Sequence, residues 1–248
     1  MPEKNAINID FHSHILPGID DGAADTGISR QQLLMLKKQG VDKVFLTSHF
    51  DFRFESNKDF IKRREKAYEE LMSVYEPDKM PKLFTGAEIY MSRGMENYDF
   101  SGLELQHTGI VLIEFPREPY GAWMTDLLET LMFERDMKIM IAHMNRVVAS
   151  YEKNVCKNIF DYQDLIFQIN TEAFRGVFAR DPFRDYDASG LKFVIGTDTH
   201  DLTGRAPDFD KALKKLNSSA LSYIRQSAEL VTAKINRRIE KKYKTVRG

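Results

Sequence analysis

Short apolar runs rich in β-branched and aromatic residues recur along the chain and alternate with stretches of helical spacing. The runs are typical of buried strands, and they cover residues 7–12, 43–49, 82–90, 109–115, 138–144, 165–170 and 192–198. Between them, segments such as SRQQLLMLKKQG place leucines at helical intervals and end on Gly40, which favours a glycine C-cap. The alternation predicts a parallel sheet covered by helices.

Seven strand–helix units in a chain of 248 residues favour a closed α/β barrel, namely a distorted TIM-like (β/α)7 barrel that lacks an eighth strand. An open doubly wound sheet is the structural alternative. No internal repeat, low-complexity tract or linker interrupts the pattern. We therefore predict a single domain over residues 1–248.

The charge balance and the cysteine content narrow the range of functions. With 36 basic and 37 acidic residues, the chain lacks the basic surface of a general nucleic-acid binder. The single Cys156 has no partner for an internal disulfide or a thiolate metal site, and there is no signal-like or membrane-spanning run, so we expect a cytoplasmic protein. The basic stretch 233–248 is interpreted as the solvated face of a last helix, with docking to an acidic partner as the alternative.

Side chains that can bind metals cluster at the carboxyl ends of the predicted strands. The set comprises His12, His14, His49, Glu88, Glu114, His143, Asp198 and His200. A parallel barrel brings all these strand ends to one rim, and histidines two apart on a strand point to the same side. The sixth histidine, His107, precedes the fourth strand at its opposite end, and we interpret it as structural.

These donors predict a metal centre without sulfur ligands. Imidazole suits zinc, iron or manganese, while carboxylates, including Asp21, favour harder ions and can bridge two of them. Eight or nine donors exceed the needs of one four-coordinate ion, so we predict two or three divalent ions. Taken singly, each residue could be a hydrogen-bonded core histidine or a loop acid, but one shared site is the more economical explanation.

Several motifs resemble those of the bacterial manganese-dependent tyrosine-protein phosphatases of the CpsB/YwqE type, within the PHP superfamily. They are DFHSHILPGIDDG, TSHF, GAEIY, IEFP, AHMNR and TDTHDLTGR, and they span most of the chain in this order. The resemblance implies a PHP-type barrel with a trinuclear centre, with manganese as the expected metal and iron or zinc as alternatives, whose ligands are His12, His14, Asp21, His49, Glu88, Glu114, His143, Asp198 and His200. It also implies that Arg146 and Arg205 bind the phosphate. Asn145 stands where the family commonly has a glutamate, which bears on substrate preference.

The activity that the resemblance implies is dephosphorylation of protein phosphotyrosine, with the C-terminal tail of a bacterial tyrosine kinase as substrate in capsule or exopolysaccharide control. Clustered metal ions lower the pKa of a bound water, and a hydroxide held between them can attack phosphorus while Arg146 and Arg205 clamp the oxygens. Either Asp201 or a metal-bound water could supply a proton to the leaving group. A homo-oligomer is compatible with the sequence.

Other functions remain open at this point. One alternative is a PHP phosphatase for a small metabolite such as histidinol phosphate, which needs the same metals. Another is a metal-binding scaffold protein that keeps the barrel but has no catalytic activity. An amidohydrolase also begins with two spaced histidines, but it would typically place a lysine ligand near the fourth strand, where this chain has Glu114.

Aromatic residues follow the second and fourth strands and have two interpretations. They are Phe50, Phe52, Phe54, Tyr120 and Trp123. They could form a lip for a substrate ring or pack the loops onto the barrel. Asn170, at the end of the sixth strand, could likewise line the site or form a turn.

Overall fold

The computed structural model describes residues 7–174 and 190–246, with side chains in the last helix up to Ala233. Strands form at the predicted apolar runs: β1 (Ile9–Ser13), β2 (Lys43–Leu46), β3 (His49–Phe50), β4 (Lys82–Thr85), β5 (Glu88–Tyr90), β6 (Ile110–Glu114), β7 (Lys138–Ile141), β8 (Ile166–Asn170) and β9 (Lys192–Gly196). The helices are α1 (Thr26–Lys38), α2 (Asn57–Met72), α3 (Ala122–Glu129), α4 (Met144–Ser150), α5 (Lys153–Phe160), α6 (Phe209–Leu213) and α7 (Ser218–Val246).

Two of the predicted strands are each divided in two, which the apolar pattern did not predict. The run 43–49 gives β2 and β3, and the run 82–90 gives β4 and β5. At the first break, the Thr47 hydroxyl accepts a hydrogen bond from the Ser13 backbone N–H at 3.1 Å, so a side chain replaces the regular ladder. At the second break, a Cβ on Gly86 would lie 2.8 Å from a leucine methyl group. Close packing at both points therefore interrupts regular strand geometry.

All strand pairs are parallel, in the orders β1-β2-β4 and β3-β5-β6-β7-β8-β9. The two sheets are continuous where the predicted strands are divided. There the backbone N–H of Glu88 in β5 donates to the carbonyl of Ser48, which lies between β2 and β3, at 3.0 Å. At the other edge, Asp198 N–H donates to His12 O at 2.8 Å, and His14 N–H donates to Thr199 O at 3.0 Å. The strands thus follow chain order around a ring, without the reversal of a doubly wound sheet. The predicted barrel class is confirmed.

A cluster of buried apolar side chains supports the carboxyl ends of the strands. Phe45 stacks between Phe11 and Phe84, with both pairs of ring centroids 5.4 Å apart. Leu112 and Val194 belong to the same cluster, and they lie two and four residues before Glu114 and Asp198, respectively. Because side chains on a strand alternate between faces, Leu112 of this cluster and Glu114 lie on the same face of β6.

The outer helices bury a second apolar cluster against the strands, and Cys156 on α5 belongs to it. None of the helices in the described part of the chain combines the length and apolar character needed to cross a bilayer. Helix α7 continues through most of the basic stretch 233–248, but the side chains after Ala233 lie outside the described residues.

Candidate metal centre

The carboxylate of Glu88 lies at the centre of four histidines. Its Oε2 atom is 3.1 Å from Nε2 of both His12 and His14 and 3.0 Å from Nδ1 of His49. Its Oε1 atom is 2.9 Å from Nε2 of His143. Residues from β1, β3, β5 and the end of β7 therefore meet at one point, as the strand-end pattern predicts.

Hydrogen bonds fix the orientation of the two histidines of β1. The His12 Nδ1 atom lies 2.9 Å from Gln168 Oε1, which also accepts the backbone N–H of His143 and is therefore an oxygen. The His14 Nδ1 atom lies 2.9 Å from the carboxylate of Asp20. Both rings carry their proton on Nδ1 and turn Nε2 towards each other, 3.1 Å apart. Metal-bound histidines are held in this way by partners behind the ring.

This arrangement brings electron-rich atoms together and fits a cation. The two Nε2 atoms and the central carboxylate oxygen repel one another unless a proton or a metal ion lies between them. His200 follows the same pattern, because its Nδ1 donates to Asp198 O at 2.9 Å while its buried Nε2 has no hydrogen-bond partner among the described residues. We conclude that the donor set suits divalent metal ions.

Three groups of donors could each hold an ion among the described residues. They are His14 with Asp21, His49 and His200; His12 with His14 and Asp198; and His49 with Glu88 and Glu114, and within each group the donor atoms lie within 4.8 Å of one another. His143 Nε2 joins the last group at 3.4 Å from Glu114 Oε1. The structure thus brings together all nine predicted ligand residues, although Asp21 is the most exposed, with 65% of its side chain accessible.

Burial and charge shift the pKa values of these side chains in opposite directions. Burial disfavours the charged form of His14, but hydrogen bonds to Asp20 and Glu88 outweigh it and raise the pKa well above 6.5. Burial likewise opposes a charge on His143, yet the two glutamates that face it raise its pKa to about 9. Burial and the nearby charge of His14 lower the pKa of His200 to about 4. Protons therefore occupy part of the site when metal is absent.

The metal-free protein is expected to lose stability as the pH rises from 6.5 to 9. The folded-state pKa values of His14 and His143 are raised, so their contribution is complete below pH 6.5 and disappears as they lose protons. Metal ions compete with the same protons, so their stabilising effect should increase over this range. Thermal melts with chelator and with manganese at several pH values measure both trends. A chelated protein that gains stability towards pH 9 would contradict this electrostatic account.

The two predicted arginines lie at the edge of the donor cluster and share one carboxylate. Arg146 Nη2 is 2.8 Å from Asp198 Oδ2, and Arg205 Nη2 is 2.8 Å from Asp198 Oδ1. Arg146 also donates through Nε to Glu172 Oε1 at 2.6 Å. Each guanidinium is partly exposed and retains further N–H groups that can contact an oxyanion.

A cleft of about 690 Å³ opens beside the donor cluster. Glu114, His143 and Arg146 line one end of it, and its walls include Phe115, Tyr120, Val147, Tyr151 and Val155. The organic part of a substrate whose phosphate contacts Arg146 could therefore lie in this cleft.

Of the two interpretations of the loop aromatic residues, packing onto the barrel describes most of them better than a substrate lip. Of the five residues only Tyr120 lines the cleft. Phe50 is 2% exposed and packs on Phe60, and Phe52 packs on Tyr98, because apolar side chains in these loops cover the barrel. The other two residues also do not line the cleft. Arg93 lies over the ring of Trp123, and Phe54 is 82% exposed.

Three further predicted residues occupy distinct positions. Asn170 lines the site, since its Nδ2 donates to Asp198 Oδ2 at 2.8 Å. Asp201 accepts hydrogen bonds from the backbone N–H groups of Thr203 and Arg205, which favours a role in shaping this loop over proton donation. The ring of His107 packs edge-on against an apolar residue of β4, consistent with a structural role.

Sequence reasoning missed three residues that hold the predicted ones in place. Asp20 and Gln168 orient the histidines of β1, and Glu172 anchors Arg146. A signal existed for Gln168, which lies two residues before Asn170 and so shares its strand face. No sequence signal distinguishes the role of Asp20 from that of the adjacent Asp21.

Two candidate ligands have unusual backbone conformations. His143 has a φ of 31° and Asp198 a φ of 52°, in the left-handed region that non-glycine residues seldom adopt. Each lies two residues after the end of its strand. The turns point the two side chains inward to the donor cluster.

Two curated proteins are similar to this chain over nearly their whole length. The tyrosine-protein phosphatase YwqE of Bacillus subtilis is 26% identical over 244 residues, covering 90% of this chain and 91% of that protein. The putative tyrosine-protein phosphatase CapC of Staphylococcus aureus is 26% identical over 259 residues, covering 96% and 95%.

Solved structures show the same fold. The crystal structures of YwqE and of CpsB from Streptococcus pneumoniae, described as unique metal-dependent tyrosine phosphatases, match with a TM-score of 0.70 at 23% identity, covering 91% of this chain and 94% of that chain. Histidinol phosphate phosphatase from Lactococcus lactis, solved with zinc, matches with a TM-score of 0.56 at 15% identity, covering 89% and 93%. The family described as "Capsular polysaccharide synthesis, CpsB/CapC" matches residues 8–233. The chain therefore belongs to the CpsB/CapC family.

Proposed function

We propose that the chain is a metal-dependent phosphatase that hydrolyses protein phosphotyrosine. The observation that carries this proposal is the buried set of histidine and carboxylate donors, with two arginines beside it. The two curated relatives are named tyrosine-protein phosphatases, which supports the same substrate class.

In this proposal the nine donor residues hold two or three divalent ions, with manganese favoured and iron or zinc as alternatives. Bound ions would activate a water molecule at neutral pH and polarise the phosphoryl oxygens. Asp20 and Gln168 hold the two histidines of β1 in the tautomer that offers Nε2 to the site. This preorganisation lowers the cost of ordering the ligands when ions bind.

Arg146 and Arg205 bind the phosphate in the proposed site. Their planar guanidinium groups suit bidentate contact with phosphoryl oxygens, whose charge increases in the transition state. Glu172 holds Nε of Arg146 and so limits the directions in which its remaining N–H groups can point. A phenolate leaving group has a pKa of about 10, so an acid from the protein is not essential.

The wider setting is also part of the proposal. The substrate would be the phosphorylated tail of a bacterial tyrosine kinase that controls capsule or exopolysaccharide synthesis, in the cytoplasm. The catalytic unit would be one domain over residues 1–248, alone or as a homo-oligomer. The family description, capsular polysaccharide synthesis, supports this setting.

A direct comparison of substrates tests the proposal. Purified protein loaded with manganese is assayed on a phosphotyrosine peptide and on histidinol phosphate, with a chelated sample as control. We expect a higher kcat/KM on the peptide and no turnover after chelation. A preference for histidinol phosphate would instead indicate a phosphatase for small metabolites. A metal-loaded protein that is inactive on both substrates would favour a catalytically silent metal-binding scaffold.

A further inference from the structure

We propose that the cleft beside the metal centre binds the aromatic ring of an aryl phosphate, and that Tyr151 is the residue that selects aryl over alkyl esters. The inference rests on the proposed phosphatase function, because the phosphate site defines one end of the cleft. It replaces the predicted lip, of which the cleft retains only Tyr120.

The position of the cleft follows from the phosphate site. Arg146 and His143 line its inner end, while Tyr151 and Tyr120 line its walls. A volume of about 690 Å³ lies within the range of small-molecule sites and is ample for a substituted phenyl ring. An ester whose phosphate meets Arg146 can therefore place its organic group between aromatic walls.

Tyr151 is held rigidly in this wall. Its hydroxyl donates to Pro116 O at 2.8 Å. Its ring meets Phe115 and Tyr120 edge to face, with centroid distances of 5.9 and 5.8 Å. A ring already fixed by these contacts loses little further freedom when a second ring packs on it. Such a wall favours a flat aromatic group over a flexible alkyl chain.

One short helix links the phosphate site to the ring site. Helix α4 begins after His143, carries Arg146 in its first turn and ends at its C-cap, Tyr151. Five residues of helix span about 7.5 Å, which is comparable to the length of a phenyl ring with its phosphate attached. Tyr151 follows directly on Ser150, the last residue of this helix, so α4 couples the positions of the two subsites.

Binding of two phosphonates tests the inference without requiring turnover. Phenylphosphonate and methylphosphonate carry the same anionic group, but only the first has a ring. Calorimetric titration of the manganese-loaded Tyr151→Leu protein should show about tenfold weaker phenylphosphonate binding than wild type, with methylphosphonate binding unchanged. Tyr151→Phe, which keeps the ring, should retain the preference for phenylphosphonate.

A second pair of variants keeps the test valid if Tyr151→Leu does not fold. Ser150 is exposed on α4 and lines the cleft, whereas the neighbouring Ala149 is exposed but does not line it. Ser150→Trp should obstruct the ring and weaken phenylphosphonate alone, while Ala149→Trp should bind both phosphonates like wild type.

Two outcomes would overturn the inference. One is undiminished phenylphosphonate binding in Tyr151→Leu, or in Ser150→Trp if the first variant does not fold. The other is an equal loss of affinity for both phosphonates, which would mean that Tyr151 supports the phosphate site through α4. Neither outcome bears on whether the wild-type protein hydrolyses phosphotyrosine, so failure of the proposed function is recognised separately by the substrate comparison.

Discussion

Replacing Glu88 by glutamine is expected to remove most of the bound metal and to lower kcat/KM on a phosphotyrosine peptide by about a thousandfold or more. The carboxylate contacts four histidines, and the uncharged amide would leave their nitrogen atoms without a shared anion. Metal ions contribute several kcal/mol to phosphoryl transfer, which corresponds to an effect of about this size. Metal analysis of the purified variant and steady-state kinetics measure the two effects.

Glu69→Gln is the matched control for this variant, since Glu69 is an exposed acid of α2 that belongs to none of the three donor groups. The control should keep both metal and activity. In chelated Glu88→Gln, the loss of stability between pH 6.5 and 9 should also be smaller, because one of the anions that raise the pKa of His14 and of His143 is gone. A Glu88→Gln protein with full metal content and activity would refute the proposed centre.

Replacing Arg146 or Arg205 by alanine is expected to lower kcat/KM on the same peptide by about a hundredfold in each case. Each side chain offers N–H groups to the phosphoryl oxygens, and alanine removes them without changing a donor residue. Lysine at either position should restore only part of the activity, because it cannot form two parallel hydrogen bonds. Kinetics together with the metal content of each variant provide the measurement.

The metal content decides between two roles for these arginines. Both guanidinium groups contact Asp198, so they could act by holding a ligand instead of the phosphate. If the arginines bind phosphate, their alanine variants lose activity and keep the metal. If metal and activity fall equally, the arginines act by positioning the candidate ligand Asp198. Arg30→Ala, which removes a surface ion pair between α1 and Glu76, serves as the control and should change neither quantity.

The sequence was sufficient to predict the barrel and to group the donor residues, because both depend on strand direction. Once His12, Glu88 and His143 are placed at the ends of parallel strands, the fold must bring them to one rim. The roles of these residues as ligands stay predictions. What the structure adds is their contact with one another at about 3 Å.

Features that depend on packing could not be predicted in the same way. The breaks in the second and third predicted strands arise from a threonine hydroxyl and a close glycine contact, which the hydrophobic pattern does not encode. The choice between the two interpretations of the loop aromatic residues also depended on packing. Phe50 at the end of β3 and Tyr151 after α4 are both aromatic, and only the fold determines that the first is buried and the second lines the cleft.

The left-handed backbone at His143 and Asp198 has a consequence for the evolution and engineering of this protein. Such conformations cost roughly 1–3 kcal/mol each in side chains other than glycine. Glycine at either position would relax the backbone, but it would also erase a donor and leave the partners of His143 or Asp198 without their counter-charge. At these two positions the backbone therefore favours one residue type and the donor set another, which restricts the substitutions that mutagenesis or evolution can make there.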